Sequence, residues 1–374
     1  VHRNSRRLVW ARRRLDATPG RPARSRREHL PLARSRLGVP LIPGLALLVV
    51  SVSPASADRI AKGRPSATSV TEIHCAFVDP SRSVPDYATQ PPSIASKVRS
   101  LPTTVWLPPH ASPDHLLPLV LFAAGYDSYP SVYAPLLSAW AQAGFIVAAP
   151  TFPDENPAAV AAEGTNTEGD LANEPADLAY VGHALEDAST RHIAACPGVF
   201  GMIEPHVVAV AGHSDGASAA ALFAFGTGSD PQGVPLSVLR ADFSLRAAMI
   251  FSGSEVAPAT YGAPDPRLPL LTVQSANDHC NPEIDAVDLY RATHVNERFF
   301  LLLRTAQHRS PFDGTDEPAF DLVTTTSIRF LRLSMQGAHI GAGFVAYGDR
   351  DPTVGTIYMN PPTTPVLSED CDLN

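Results

Sequence analysis

The stretch that most constrains this chain runs from His206 to Ala217 and reads HVVAVAGHSDGA. Its apolar, β-branched first half is what a strand buried on both faces of a sheet requires. It stops at Gly212-His213-Ser214-Asp215-Gly216, and the small residues from Ala217 to Gly226 then read as a helix. In a strand–turn–helix context the G-x-S-x-G pattern reads as a sharp turn that lifts a serine above the sheet as a nucleophile. The flanking glycines let strand and helix close in, and the helix N-terminus below favours developing negative charge.

On these residues the chain resembles the α/β-hydrolase superfamily, in particular its single-domain serine esterases. The dienelactone-hydrolase-like, chlorophyllase-like and bacterial polyester-hydrolase or lipase branches resemble it most, over about residues 103–333. The resemblance implies a mostly parallel central sheet flanked by helices on both faces. It also implies a nucleophile, an acid and a histidine met in that order along the chain.

The remaining segments meet that order. Leu268 to Asp278 reads as a strand leading to a polar tip, with Asp278 64 residues beyond Ser214. Asp278 stands where the acid belongs, before a helix over 284–292; Asp265 and Asp285 do not directly follow a buried strand. Residues 298–303 form a further strand, and His308 follows it, ahead of a helix over 317–333. His308 alone among the 13 histidines combines order and context; His213 is expected to pack or hydrogen-bond locally, and His279 to sit in a loop. The catalytic assignment is therefore Ser214, Asp278 and His308.

The strand over 116–124 ends at Gly125-Tyr126. In the family the loop after this strand supplies a main-chain N–H to the oxyanion hole, and Ala124-Gly125-Tyr126 resembles the version found in polyester hydrolases. The donors are assigned to Tyr126 and to Asp215, the residue after the nucleophile. Tyr126, Tyr129 and Phe312 are expected to form an aromatic rim for substrate. The chemistry calls for no metal and no organic cofactor.

Further expectations concern the rest of the chain. Val132 to Ala143 reads as a helix, residues 144–150 as a strand, and Pro175 to Ser189 as a helix with proline at its start. The polar stretch from Asp154 to Glu174 lacks periodicity and reads as a loop bordering the substrate entrance. Residues beyond Gln336 read as an extended tail. Residues 1–57 hold 12 of the 29 basic residues and 2 of the 37 acidic ones. They carry an apolar run over 37–52 and an A-x-A site at Ala55-Ser56-Ala57, the pattern of an export signal cleaved before Asp58. Ser25-Arg26-Arg27 resembles a twin-arginine signal, so Sec and Tat export both stay open. Residues 58–374 are then one catalytic domain, without a stable membrane span after cleavage, and the sequence leaves its oligomeric state open. Its acidic balance argues against nucleic acid as a partner.

All four cysteines, Cys75, Cys196, Cys280 and Cys371, lie after the signal. Two disulfides with three possible connectivities are expected of an exported protein; a tail-pinning Cys280–Cys371 bridge is preferred, leaving Cys75–Cys196.

Together these readings describe a secreted serine hydrolase of carboxylic esters, small or polymeric. Asp215 stands where polyester hydrolases often carry Met or Gln, and residues 251–254 lack the tryptophan those enzymes use to stack an aromatic acyl group. Short-chain or modest esters are therefore expected first, with polyesters as further substrates. Dienelactone hydrolases carry cysteine at the position of Ser214, so lactone specificity is not implied. The alternatives are a non-catalytic exported binding or cell-wall module on the same scaffold, or a secreted peptidase or acyltransferase.

Overall fold

The computed structural model describes residues 69–362 apart from 114, 254–260 and 263. The chain divides into two units, Val1–Ala61 and Lys62–Asn374, and every described residue belongs to the second. The signal region and its cleavage site lie outside the described residues.

Eleven strands are described, in chain order β1 Thr71–Asp79, β2 Val84–Asp86, β3 Ser93–Ser96, β4 Arg99–Leu107, β5 Leu117–Ala123, β6 Ile146–Pro150, β7 Ile203–His213, β8 Ser244–Phe251, β9 Leu270–Ser275, β10 Arg298–Leu303 and β11 Gly355–Tyr358. Nine form one sheet in the order β1-β4-β6-β5-β7-β8-β9-β10-β11, while β2 and β3 pair as a separate hairpin. The six strands from β6 to β10 run parallel; β1 and β4 at one edge and β11 at the other run antiparallel to their neighbours. The fold class is α/β, as expected.

Strand alternation divides the core between the two faces of the sheet. On β5, Leu119, Leu121 and Ala123 pack with the helices Glu174–Arg191, Asp215–Phe225 and Glu283–Ala292. Val120 and Phe122 point the other way, toward Ala134–Gln142 and Glu317–Met335. The β7 strand does the same with Val208 and Val210 against Ala209 and Ala211. On the second face Trp140 donates its indole N–H to Ser327 Oγ at 2.9 Å, tying those two helices together.

The connector between β1 and β4 contains the β2–β3 hairpin. Two segments differ from the sequence reading. The polar stretch after β6 forms a helix, Pro157–Glu163, capped by the Asn156 side chain, followed by a 3₁₀ segment, Thr165–Asn173. Beyond Gln336 the chain is not simply an extended tail: helix Ala342–Gly348 packs on the core through Phe344, and β11 adds a strand to the edge of β10. The apolar signal there is only a few residues long, too short to register as periodicity.

Cys75 on β1 is bonded to Cys196, closing a loop of 121 residues. Such a cross-link removes about 4–5 kcal/mol of chain entropy from the unfolded state in the loop-closure account. Cys280 is also disulfide-bonded; Cys371, the fourth cysteine, lies outside the described residues. Among the described residues no helix is long and apolar enough to cross a membrane.

Candidate active site

The chain leaves β5 toward β6 on one side and returns to β7 on the other, so the strand order reverses between β5 and β7. Crevices at such reversals, beyond the carboxyl ends of the strands, are where open α/β sheets hold ligands. Gly125-Tyr126 follows β5 and Ser214 follows β7 at this place, while Asp278 and His308 follow β9 and β10.

Ser214 has φ 57° and ψ −125°, a conformation that costs a non-glycine residue energy and persists where its surroundings enforce it. Its N–H donates to the Phe251 carbonyl at 3.0 Å, and its own carbonyl accepts from Ala217 and Ser218, starting the helix that follows. A Cβ on Gly212 would come within 2.1 Å of the Gly216 carbonyl oxygen, and one on Gly216 within 2.3 Å of the carbonyl oxygens of Ala123 and Ala124. No other residue fits either place, and the second contact holds the end of β5 against the turn.

The three assigned side chains meet. Ser214 Oγ lies 3.0 Å from His308 Nε2, and His308 Nδ1 lies 3.0 and 2.9 Å from the two oxygens of Asp278. Asp278 and His308 are 2% and 4% exposed, so the pairing operates out of water.

Burial pushes the Asp278 carboxyl up, but its hydrogen bond to His308, the charge of that ring, and the N–H groups of Asn281 and Cys280 outweigh it and leave the carboxyl below its ordinary value. The two N–H groups donate to Oδ1 at 2.9 Å each, and the Gln274 amide donates to Oδ2 at 3.0 Å. An ionised Asp278 can only accept, so His308 Nδ1 carries the proton and Nε2 is left to accept from the serine hydroxyl.

The loops bearing Asp278 and His308 are themselves joined. Ser275 Oγ donates to the Ala306 carbonyl, and the Asn277 amide to the Thr305 carbonyl at 3.4 Å. Asn281 Nδ2 donates to the Ser252 carbonyl at 2.6 Å, joining the Asp278 loop to the end of β8.

Tyr126 is partly exposed, and its hydroxyl donates to the Gly164 carbonyl at 3.4 Å and accepts from Thr167 at 3.2 Å. The segment expected to border the substrate entrance thus contacts this tyrosine. Tyr129 is exposed, at 39%. Phe312 corrects the sequence reading: it is fully buried, stacked on Phe251 at 5.1 Å between ring centres and packed 4.9 Å from the His213 ring. It supports the site from beneath and offers no face to a substrate. Asp215 is partly exposed in the first turn of its helix; burial raises its carboxyl, opposed by the charge of His308.

Several residues of the site escaped the sequence reading. Gln274 sits in an apolar run, yet a buried amide there demands partners, and its partner is Asp278. Beside the site lies a set of buried carboxyls, Asp154, Glu155, Asp170, Glu174 and Asp177, of which Asp170 and Asp177 are ion-paired to Arg99.

Asp278, Cys280 and His308 also bring one potential metal ligand each within 4.8 Å of one another. The sulfur of Cys280 is held in a disulfide, so it offers no thiolate, and the set is poorly suited to a metal. The chain matches no protein-family model and no curated protein sequence.

Proposed function

We propose that this protein is an exported serine hydrolase of the α/β-hydrolase type that cleaves carboxylic esters through an acyl-enzyme. The observation that carries the proposal is the unbroken line from Ser214 Oγ through His308 to Asp278, assembled from the ends of three strands and out of water. The Cys75–Cys196 disulfide supports the export reading.

In the proposed reaction His308 Nε2 takes the Ser214 proton as Oγ attacks the ester carbonyl. Asp278 holds the ring in the Nδ1–H tautomer and stabilises its charged form. The main-chain N–H groups of Tyr126 and Asp215 receive the oxyanion, each such donor being worth about 10²–10³ in rate. His308 then protonates the departing alcohol, and water enters by the same roles to release the acid. Short-chain esters are the proposed substrates, with polyesters as further ones.

The test is Ser214→Ala assayed on p-nitrophenyl butyrate. The folded variant is expected to lose turnover; retained hydrolysis overturns the proposal.

A further inference from the structure

The reaction above has no use for His213, yet this ring, next to the nucleophile in sequence, is bonded at both of its nitrogens. It is 2% exposed: Nε2 lies 3.0 Å from the main-chain oxygen of His308, and Nδ1 2.8 Å from the hydroxyl of Tyr133. The Tyr133 hydroxyl, itself fully buried, accepts from the Gly125 N–H at 3.3 Å.

These bonds fix the direction of every proton. A carbonyl oxygen only accepts, so His213 Nε2 carries the hydrogen. Nδ1 is then a lone-pair acceptor, and the Tyr133 O–H must donate to it. Gly125 N–H to Tyr133 to His213 to the His308 carbonyl is therefore one continuous, fully paired chain. It joins the loop that bears Tyr126 to the backbone of the histidine that faces Ser214. His213 also packs against both partners: its ring centre is 4.6 Å from that of His308 and 5.4 Å from that of Tyr133.

Resting on the hydrolase reading, we infer that His213 is a positioning residue: a neutral imidazole that, with Tyr133, clamps the His308 backbone and the Gly125–Tyr126 loop in one register around Ser214. The clamp works only while the ring is uncharged, because a proton on Nδ1 would face the Tyr133 hydroxyl proton. Its surroundings keep it so. Burial drives its affinity for a proton well below that of a free imidazole, helped by the charge of His308 and of Arg309 and opposed by its bond to the His308 carbonyl and by Asp278. A neutral neighbour also leaves His308 free to become cationic during catalysis; a second charge there would oppose it.

The test uses His213→Phe, His213→Gln and Tyr133→Phe, with kcat and KM on p-nitrophenyl butyrate. Imidazole ¹⁵N shifts of the wild-type protein from pH 8 to pH 5 complete it. Displacing a catalytic group by ~1 Å costs on the order of 10² in rate, so kcat of His213→Phe is expected to fall roughly 10- to 100-fold with KM within about twofold. His213→Gln, which keeps a donor and an acceptor, should recover part of the loss. Tyr133→Phe, which removes one oxygen from a packed ring, should lower kcat less.

The His213 signals should stay those of the neutral Nε2–H form throughout. If His213→Phe does not fold, Tyr133→Phe and the NMR signals decide alone. Unchanged kcat in folded variants, a change in KM alone, or a His213 that titrates near pH 6.5 overturns the clamp. Should wild type hydrolyse the ester and Ser214→Ala not, such a failure belongs to the clamp and not to the hydrolase reading. Wild-type inactivity or an active Ser214→Ala overturns both.

Discussion

Asp278 and Glu174 are both shut away from water, at 2% and 0% exposure, and their carboxyls are driven in opposite directions. Asp278 accepts two main-chain N–H groups, an amide and an imidazole, and is held ionised. Glu174 receives no such set. Burial and the charge of the neighbouring Glu155 push it well above the ordinary carboxyl range. Burial alone does not decide the charge of a carboxyl; the donors built around it do. Arg99 shows a third arrangement, in which one buried guanidinium pairs with two carboxylates at 0% exposure, Asp170 and Asp177. One end of this molecule therefore spends its polar groups on keeping an anion, and the region beside it tolerates carboxyls that prefer their protons.

The largest effect that sharpens this contrast is on Asp278. Asp278→Asn keeps the volume but favours the wrong imidazole tautomer, and in a serine protease the matching change costs ~10⁴ in kcat. A loss of that order is expected here, with KM little changed. Asp265→Asn, whose carboxylate pairs with Arg267 on the surface, should stay near wild type in the same steady-state assay. An active Asp278→Asn beside a crippled Asp265→Asn would move the acid to another loop.

Next in size is Arg99→Met. It leaves Asp170 and Asp177 buried without their shared guanidinium, and breaking a buried pair from one side costs about 3–5 kcal/mol. Urea unfolding should show that loss at pH 7.5, and an unchanged midpoint would argue that the Arg99 pairs contribute nothing to stability.

The smallest effect, and the one with a definite sign, is Glu174→Gln. A carboxyl whose folded pKa lies above its unfolded value stabilises fully below about pH 4.5 and loses that contribution as pH rises through the folded value. Glutamine has no such loss, so the variant should gain on wild type as pH rises. Thermal melts at pH 5 and pH 8 should show a larger advantage at pH 8; an advantage confined to pH 5 would reverse the assignment.

How much of this could be read from the chain follows the range of the interactions. Ser214 was legible because strand, glycines and helix are neighbours in sequence, and the same holds for Asp278 and His308, each at the tip of an apolar run. The sheet followed from those runs. Tyr133, 80 residues from His213, carries no local mark of its partner, and neither does Arg99, which meets Asp170 and Asp177 only in the fold. Phe312 shows the opposite error: an aromatic beside His308 suggests a substrate surface, but which face of a one-turn helix points inward is decided by packing on Phe251. The strand and helix after Gln336 were missed because each is four to seven residues long.

The central claim is that Ser214 is an activated nucleophile, and covalent labelling tests it most directly. Wild-type protein treated with a fluorophosphonate probe should gain the mass of one adduct, located by peptide mapping to Ser214. Labelling should be strongly slowed in Asp278→Asn and absent in Ser214→Ala. Folded wild-type protein that takes up no probe, or takes it up at another serine with Ser214 unmodified, would contradict the account.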